Sequence, residues 1–366
     1  MKFRRHKHRA WTVAAALSAL MIATGASAAE KFVYATYLSD TYSASRTDLW
    51  FTTELEKRSN GEIKFERYWS QSLVKAPELF PSLRSGAADI VGSAPAAYNV
   101  REYPLANVLM PLMSKSGDAV TFALNRLYAE NKHFRHEFES KGAKVLYSQA
   151  WAENTAWSRR PITKADDFKG LKVRAVPVVS DVLVKIGATP VALVWSEGIE
   201  GLQRGVVDVM SSAPFDSSVH GNVQDVATYG TDAGGVGIFA IATTAISLDR
   251  YNRLNEKHRK LVDELAAEAP KKAVEFLNQS IDNAVEKLCT KKDKITVTIF
   301  SAEEAEKIRD MASGPLQEAW IKRANAEAKV DGKAMLDEFL SYVRDYEKTS
   351  TYVPGFQRFL QKCGKS

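Results

Sequence analysis

Arg174 ends the run Phe168-Lys-Gly-Leu-Lys-Val-Arg174, which reads as a strand leaving the interior with a cation near its carboxyl end. Open α/β sheets bind ligands at that end. A guanidinium there holds a carboxylate through two parallel hydrogen bonds, a geometry that lysine cannot copy. A structural ion pair is the other use for such a side chain. Three tryptophans, Trp69, Trp151 and Trp195, fall where strands are expected to reach a cleft, and Tyr37 and Tyr98 stand at comparable places. Flat aromatic walls favour a ring or an apolar chain on the ligand. The alternative for any single tryptophan is a place in the core. The small residues that end two strands, Ser93-Ala-Pro95 and Ser212-Ala-Pro214, leave room for a ligand to approach the backbone.

Catalytic patterns are missing. Beyond residue 28 there are four histidines, His133, His136, His220 and His258. His133 and His136 stand three apart on a charged helix with no carboxylate or cysteine pattern to complete a metal site, so both read as solvated. The chain has no Gly-x-Ser-x-Gly elbow, His-Glu-x-x-His pair, phosphate-cradling loop or dinucleotide fingerprint. No catalytic residue, metal or cofactor is expected.

The elements that must position Arg174 announce themselves as a repeat. Glu78–Pro95 reads ELFPSLRSGAADIVGSAP and Glu197–Pro214 reads EGIEGLQRGVVDVMSSAP. The two align without a gap and share Leu83/Leu202, Gly86/Gly205, Asp89/Asp208 and Ser93/Ser212, among others. Each reads as an amphipathic helix stopped by glycine, then a short strand ending in small residues. Two such units predict two α/β lobes whose strand ends face each other across a cleft. A chance match between two ordinary helix–strand units is the competing reading.

Residues 1–28 carry a basic head, an apolar stretch and Ala26-Ser27-Ala28, the pattern of a cleaved secretory signal peptide. This leader holds five basic residues and no acid, so its loss takes the formal charge from +6 to about +1 and removes the compositional case for nucleic-acid binding. No other stretch is long and apolar enough to span a membrane. The two cysteines, Cys289 and Cys363, either pair in an oxidising compartment or stay as buried thiols.

Alternating strands and helices argue for predominantly parallel sheets. The chain is expected to cross between lobes near Gln149–Asn154 and again in the Gly-rich run Gly230–Gly237. Lobe I then comprises 29–150 plus about 238–275, and lobe II comprises 151–237 plus about 276–366. Apolar residues from Leu261 to Leu288 recur at helical spacing. They predict a long helix shared by both lobes, or two helices broken at Pro270.

Asp167-Phe-Lys-Gly-Leu-Lys-Val-Arg174, Gly187-Ala-Thr-Pro190, Trp195-Ser-Glu197 and Leu202-Gln-Arg-Gly-Val-Val-Asp208 follow in order, after Gly61-Glu-Ile-Lys-Phe65 and Tyr103-Pro104-Leu105. This ordered set resembles the periplasmic solute-binding proteins of TRAP transporters, the DctP-type family, over nearly the whole chain after the leader. The resemblance implies a two-lobe periplasmic binding fold with a long helix crossing both lobes and closure around one ligand. It implies delivery of that ligand to an ion-gradient-driven TRAP permease, and a periplasmic location. It also implies that Arg174 pairs with a ligand carboxylate and that Trp195 lines the cleft. Many relatives carry a second arginine twenty residues before the first; here that position is Asn154. The stretch Asp208–Pro214 is one residue longer than the family's usual form, leaving Ser211, Ser212 or Asp216 to replace its asparagine contact. These departures count against a C4-dicarboxylate or sialic acid, while the aromatic residues with Arg174 point to a monocarboxylate with an aromatic or apolar body; a monomer is the default. An ABC-type periplasmic receptor, a periplasmic enzyme using Arg174 with Asp208 or Glu197, and a protein-binding adaptor are the alternatives.

Overall fold

The computed structural model describes residues 29–364, so the expected leader lies outside the described residues. Strands form where short apolar runs meet turn residues. In chain order they are β1 (Glu30–Ala35), β2 (Ile63–Tyr68), β3 (Ile90–Ala94), β4 (Ala143–Ala150), β5 (Asn154–Ser158) and β6 (Lys172–Arg174), then β7 (Thr189–Val191), β8 (Val209–Pro214), β9 (Tyr229–Thr231), β10 (Ile241–Ser247) and β11 (Thr296–Thr298). They make two sheets, β2-β1-β3-β10-β4 and β11-β9-β5-β8-β6-β7. These are the expected two α/β lobes.

Each sheet contains one strand antiparallel to its neighbours, β10 in the first and β5 in the second. Both are the strands that the chain enters immediately after crossing from the other lobe. The first crossing links β4 to β5 through residues 151–153, and the second links β9 to β10. The two crossings are hydrogen-bonded to each other, Trp151 N donating to Ala240 O and Asn154 N to Gly237 O, at 3.2 and 2.8 Å. They form a two-stranded hinge.

The helix Glu256–Cys289 is continuous through Pro270 over 34 residues, about 51 Å at 1.5 Å per residue. It is one helix and not two. Val262, Leu265 and Ala269 enter the lobe I core with Phe32, Phe51 and Ile90. Farther along, Leu277, Ile281, Val285 and Leu288 enter the lobe II core with Trp157, Phe215 and Phe356. One apolar stripe thus serves two cores. Its last residue, Cys289, is disulfide-bonded to Cys363, which ties down the helix Gly355–Cys363.

The charged helix carrying His133 and His136 is Lys132–Glu139, separate from the preceding helix Gly117–Glu130 because the Asn131 side chain accepts from His133 N and Phe134 N and starts a new helix. One expectation needs correction: the C-terminal part does not all belong to lobe II. The helix Gly332–Glu347 sets Met335, Leu336, Phe339 and Val343 into the core shared with Leu124 and Leu127, and Tyr342 donates to Glu130 at 2.8 Å. Its apolar face packs on the lobe I helix Gly117–Glu130.

Lobe I also buries carboxyl groups. Asp48 is fully buried and accepts four hydroxyl hydrogen bonds, from Tyr34, Ser93, Tyr147 and Thr244, at 2.6–2.8 Å. Glu137 accepts from Leu105 N and Ala106 N, both at 2.8 Å. Burial raises its pKa from 4.5 to about 7, against the lowering effect of those two N–H groups. The folded state therefore holds a proton that the unfolded chain releases above about pH 4.5, and stability falls as pH rises toward 7. Between pH 6 and pH 8 this one group should remove about 1.4 kcal/mol. Chemical denaturation at the two pH values should show a smaller difference for Glu137→Gln than for the unmodified protein.

Candidate ligand-binding cleft

The repeat proves to be structural, because its two copies share backbone geometry as well as residues. Gly86 and Gly205 both end their helices in the left-handed region, at φ 76°, where only glycine avoids a side-chain penalty. Asp89 and Asp208 each accept a backbone N–H from the adjacent strand, Val33 N and Lys172 N, both at 2.8 Å. Asp208 is thereby engaged in building its sheet. Each copy then carries a bulge. Between the pairs Thr243↔Ala94 and Ala245↔Val91, β3 has an extra residue, and between Thr155↔Ala213 and Trp157↔Met210, so does β8. Ser93 and Ser212 occupy these bulges at φ 53° and 52°. A non-glycine residue there costs roughly 1 kcal/mol or more, and bulges commonly re-aim groups beside functional sites.

The two bulges are used differently. In lobe I the Ser93 hydroxyl donates to Asp48 at 2.7 Å, so this candidate is committed to the lobe's interior. In lobe II the bulge turns two carbonyls toward Arg174, whose Nη1 donates to Ser211 O and Ser212 O at 3.2 and 3.0 Å. Its Nε donates to Leu193 O at 3.0 Å, and its guanidinium carbon lies 5.7 Å from the centre of the Trp195 ring. Arg174 is only 5% exposed, yet its hydrogen-bond partners are all carbonyls and none is a carboxylate among the described residues. Burial pushes its pKa down to about 10, so it stays a cation at neutral pH. Carbonyl dipoles orient the charge without neutralising it.

The remaining candidates divide into groups. Asn154 is buried, accepting from Ala213 N at 3.2 Å and donating to Ser211 Oγ at 3.4 Å; it braces the bulge that holds Arg174. The Ser212 hydroxyl accepts from Val176 N at 2.9 Å, fixing the chain just beyond Arg174. Trp195 is half-buried at the start of the helix Trp195–Arg204. Tyr98 belongs to lobe I, is 55% exposed, and lies near enough to Arg174 and Tyr37 to act electrostatically on both. Trp151 and Tyr37 gather with Leu38 and Tyr42 beside the hinge, Trp151 meeting Tyr42 edge-on at 6.0 Å. Trp69, by contrast, is half-buried and packs on Tyr34 at 5.2 Å at the edge of the lobe I core.

Asp216 links parts that were expected to be separate. Its Oδ2 accepts from Ser43 of lobe I at 3.3 Å and from Ser280 of the long helix at 2.7 Å. It is a buried tie between lobes, 1% exposed. Tyr42, overlooked in the sequence, is the residue between Trp151 and this tie; its phenol is pushed up by burial and by the nearby Asp216 charge. The only sequence signal for it was its place just before the helix Ser43–Arg58. No group of three or more histidine, cysteine or acidic residues among the described residues is arranged to hold a metal ion, and no described helix is long and apolar enough to cross a membrane.

A family model for bacterial extracellular solute-binding protein family 7, DctP, matches residues 35–323. The ectoine-binding periplasmic protein TeaA of Halomonas elongata is 24% identical over 304 residues, 82% of this chain and 86% of that protein. A TRAP periplasmic solute-binding protein from Desulfovibrio salexigens, solved as an open complex, matches with a TM-score of 0.78 and 27% identity, over 89% of this chain and 99% of that one. A marine-metagenome TRAP solute-binding protein specific for aromatic acids, solved with 3-hydroxybenzoate, shares the fold at a TM-score of 0.74 and 23% identity, over 88% and 100% of the two chains. The repeat, the doubly crossed lobes and the anion-ready arginine thus have their explanation: the chain belongs to family 7 of bacterial extracellular solute-binding proteins, the DctP-type periplasmic receptors of TRAP transporters, which bind solutes and are not enzymes.

Proposed function

We propose that this receptor captures a compact organic acid, one carboxylate on an aromatic or apolar ring, and delivers it as a monomer to a TRAP permease after export by its N-terminal leader. The observation that carries the reading is Arg174: a buried cation oriented by three carbonyls, with no carboxylate partner among the described residues. One cation suits one carboxylate. At the position where many relatives carry a second arginine stands Asn154, and its amide is already engaged within lobe II. Trp195, whose ring lies 5.7 Å from the guanidinium carbon, and the exposed Tyr98 of lobe I supply flat surfaces for the ligand's body. Ectoine and 3-hydroxybenzoate, named for two of the similar proteins, are both small rings bearing one carboxylate.

Closure follows from the same charge. In the open form, water solvates the free N–H groups of Arg174. As the lobes meet, that water leaves, and only a ligand carboxylate replaces it without leaving a buried charge unpaired. The empty protein therefore favours the more open arrangements of its lobes.

Isothermal titration against benzoate, 3-hydroxybenzoate, ectoine, succinate and a sugar acid tests the reading. A ring monocarboxylate should bind tightest, and at a hundredfold excess over its Kd it should stabilise the fold by about 2.7 kcal/mol. Tighter binding of succinate or the sugar acid would overturn the ligand class. With the ligand so found, Arg174→Lys should weaken binding at least about tenfold through loss of the two-pronged contact, while Arg174→Ala should remove measurable binding. Unchanged affinity in Arg174→Ala would make the arginine structural.

A further inference from the structure

The C-terminal segment takes no part in the cleft but is fastened to everything that must move. At one end, Ser350 Oγ and Thr351 N donate to the two oxygens of Asp118, at 2.6 and 3.3 Å, in the first turn of the lobe I helix Gly117–Glu130. In the middle, Tyr352 OH and Gly355 N donate to the two oxygens of Glu153, at 2.5 and 2.6 Å. Glu153 lies in the first hinge crossing. At the other end, Phe356 packs on Trp157 and Phe215 of lobe II with ring centres 5.3 and 5.2 Å apart. Lobe I, hinge and lobe II are thus joined within seven residues. The fit is close: a Cβ on Gly355 would lie 2.0 Å from the Phe215 ring.

Glu153 is 4% exposed and forms no ion pair among the described residues. Its backbone carbonyl accepts from Phe215 N at 3.0 Å, so backbone and side chain of one hinge residue hold lobe II and the strap together. A small cavity beside it is lined by Lys115, Asp232, Gly237 and Pro354. Rotation of the lobes moves Asp118 relative to Phe215, and the strap between them must then slide or stretch. The pin at Glu153 prevents sliding.

We propose that Glu153 is a positioning residue for lobe closure: by holding Tyr352 and Gly355 it pins the C-terminal strap to the hinge and restricts the interlobe angles open to the empty protein. The proposal rests on the two-lobe closure described above but not on the ligand or on Arg174. Its test needs no ligand.

Spin labels at Lys57→Cys of lobe I and Arg204→Cys of lobe II, side chains 74% and 77% exposed, report the interlobe distance by pulsed electron resonance in the full exported chain with its disulfide intact. Tyr352→Phe removes one hydroxyl and little volume. It should alter the ratio of interlobe distance populations about fivefold, the change expected for one net hydrogen bond. Glu153→Gln, which keeps an acceptor for Gly355 N, should give a smaller change in the same direction. If Tyr352→Phe lowers the melting temperature but leaves the distance distribution of the folded protein unchanged, the strap is only structural and the proposal fails. Should Tyr352→Phe not fold, Glu153→Gln decides by the same measure, an unchanged distribution overturning the proposal.

Discussion

A buried guanidinium with no carboxylate to meet it is the constraint around which lobe II is arranged. Removing such a charge from water is costly, and the fold offsets part of that cost with three carbonyls, from Leu193, Ser211 and Ser212. Supplying two of them requires β8 to bulge and Ser212 to take a left-handed conformation. That conformation in turn is held by Val176 N on the Ser212 hydroxyl and by Asn154 bracing Ser211 and Ala213. Local strain is thus spent on orienting a buried cation. What the three carbonyls leave uncompensated is its charge.

The two lobes show how one device serves two ends. Both copies of the repeat end a helix at a left-handed glycine, anchor the next strand by an aspartate, and bulge at a serine. In lobe I the bulge points its hydroxyl at Asp48 and helps to satisfy a buried carboxylate; in lobe II it points carbonyls at a buried cation. Recurrence therefore marks the scaffold, and the function lies in what differs between the copies.

Between the lobes, the structure relies on buried carboxylates answered by neutral donors. Asp216 ties Ser43 to Ser280, and Glu153 ties the hinge to the C-terminal strap. Hydroxyl and amide donors hold a carboxylate in fixed directions, and at low dielectric these bonds are strong when made and costly when broken. Such ties suit joints that adopt a small number of angles.

The sequence by itself pointed to the two-lobe pattern, offered a crossing helix against two helices broken at Pro270, and singled out Arg174. These are local or periodic properties: an apolar stripe from Leu261 to Leu288, a glycine after each repeat helix, an arginine at a strand's end. It also narrowed the polar candidates without sorting them. Only the tertiary structure decided that the Ser93 hydroxyl meets Asp48 while the Ser211 and Ser212 carbonyls meet Arg174, that Trp69 packs on Tyr34, and that Asp216 bridges lobes. Nor could periodicity show that the helix Gly332–Glu347 covers lobe I, or that Tyr352 reaches Glu153 across 199 positions of chain. An amphipathic face states that it must be buried, and a buried polar group states that it must be paired. Neither names its partner, because partners distant in sequence are chosen by packing.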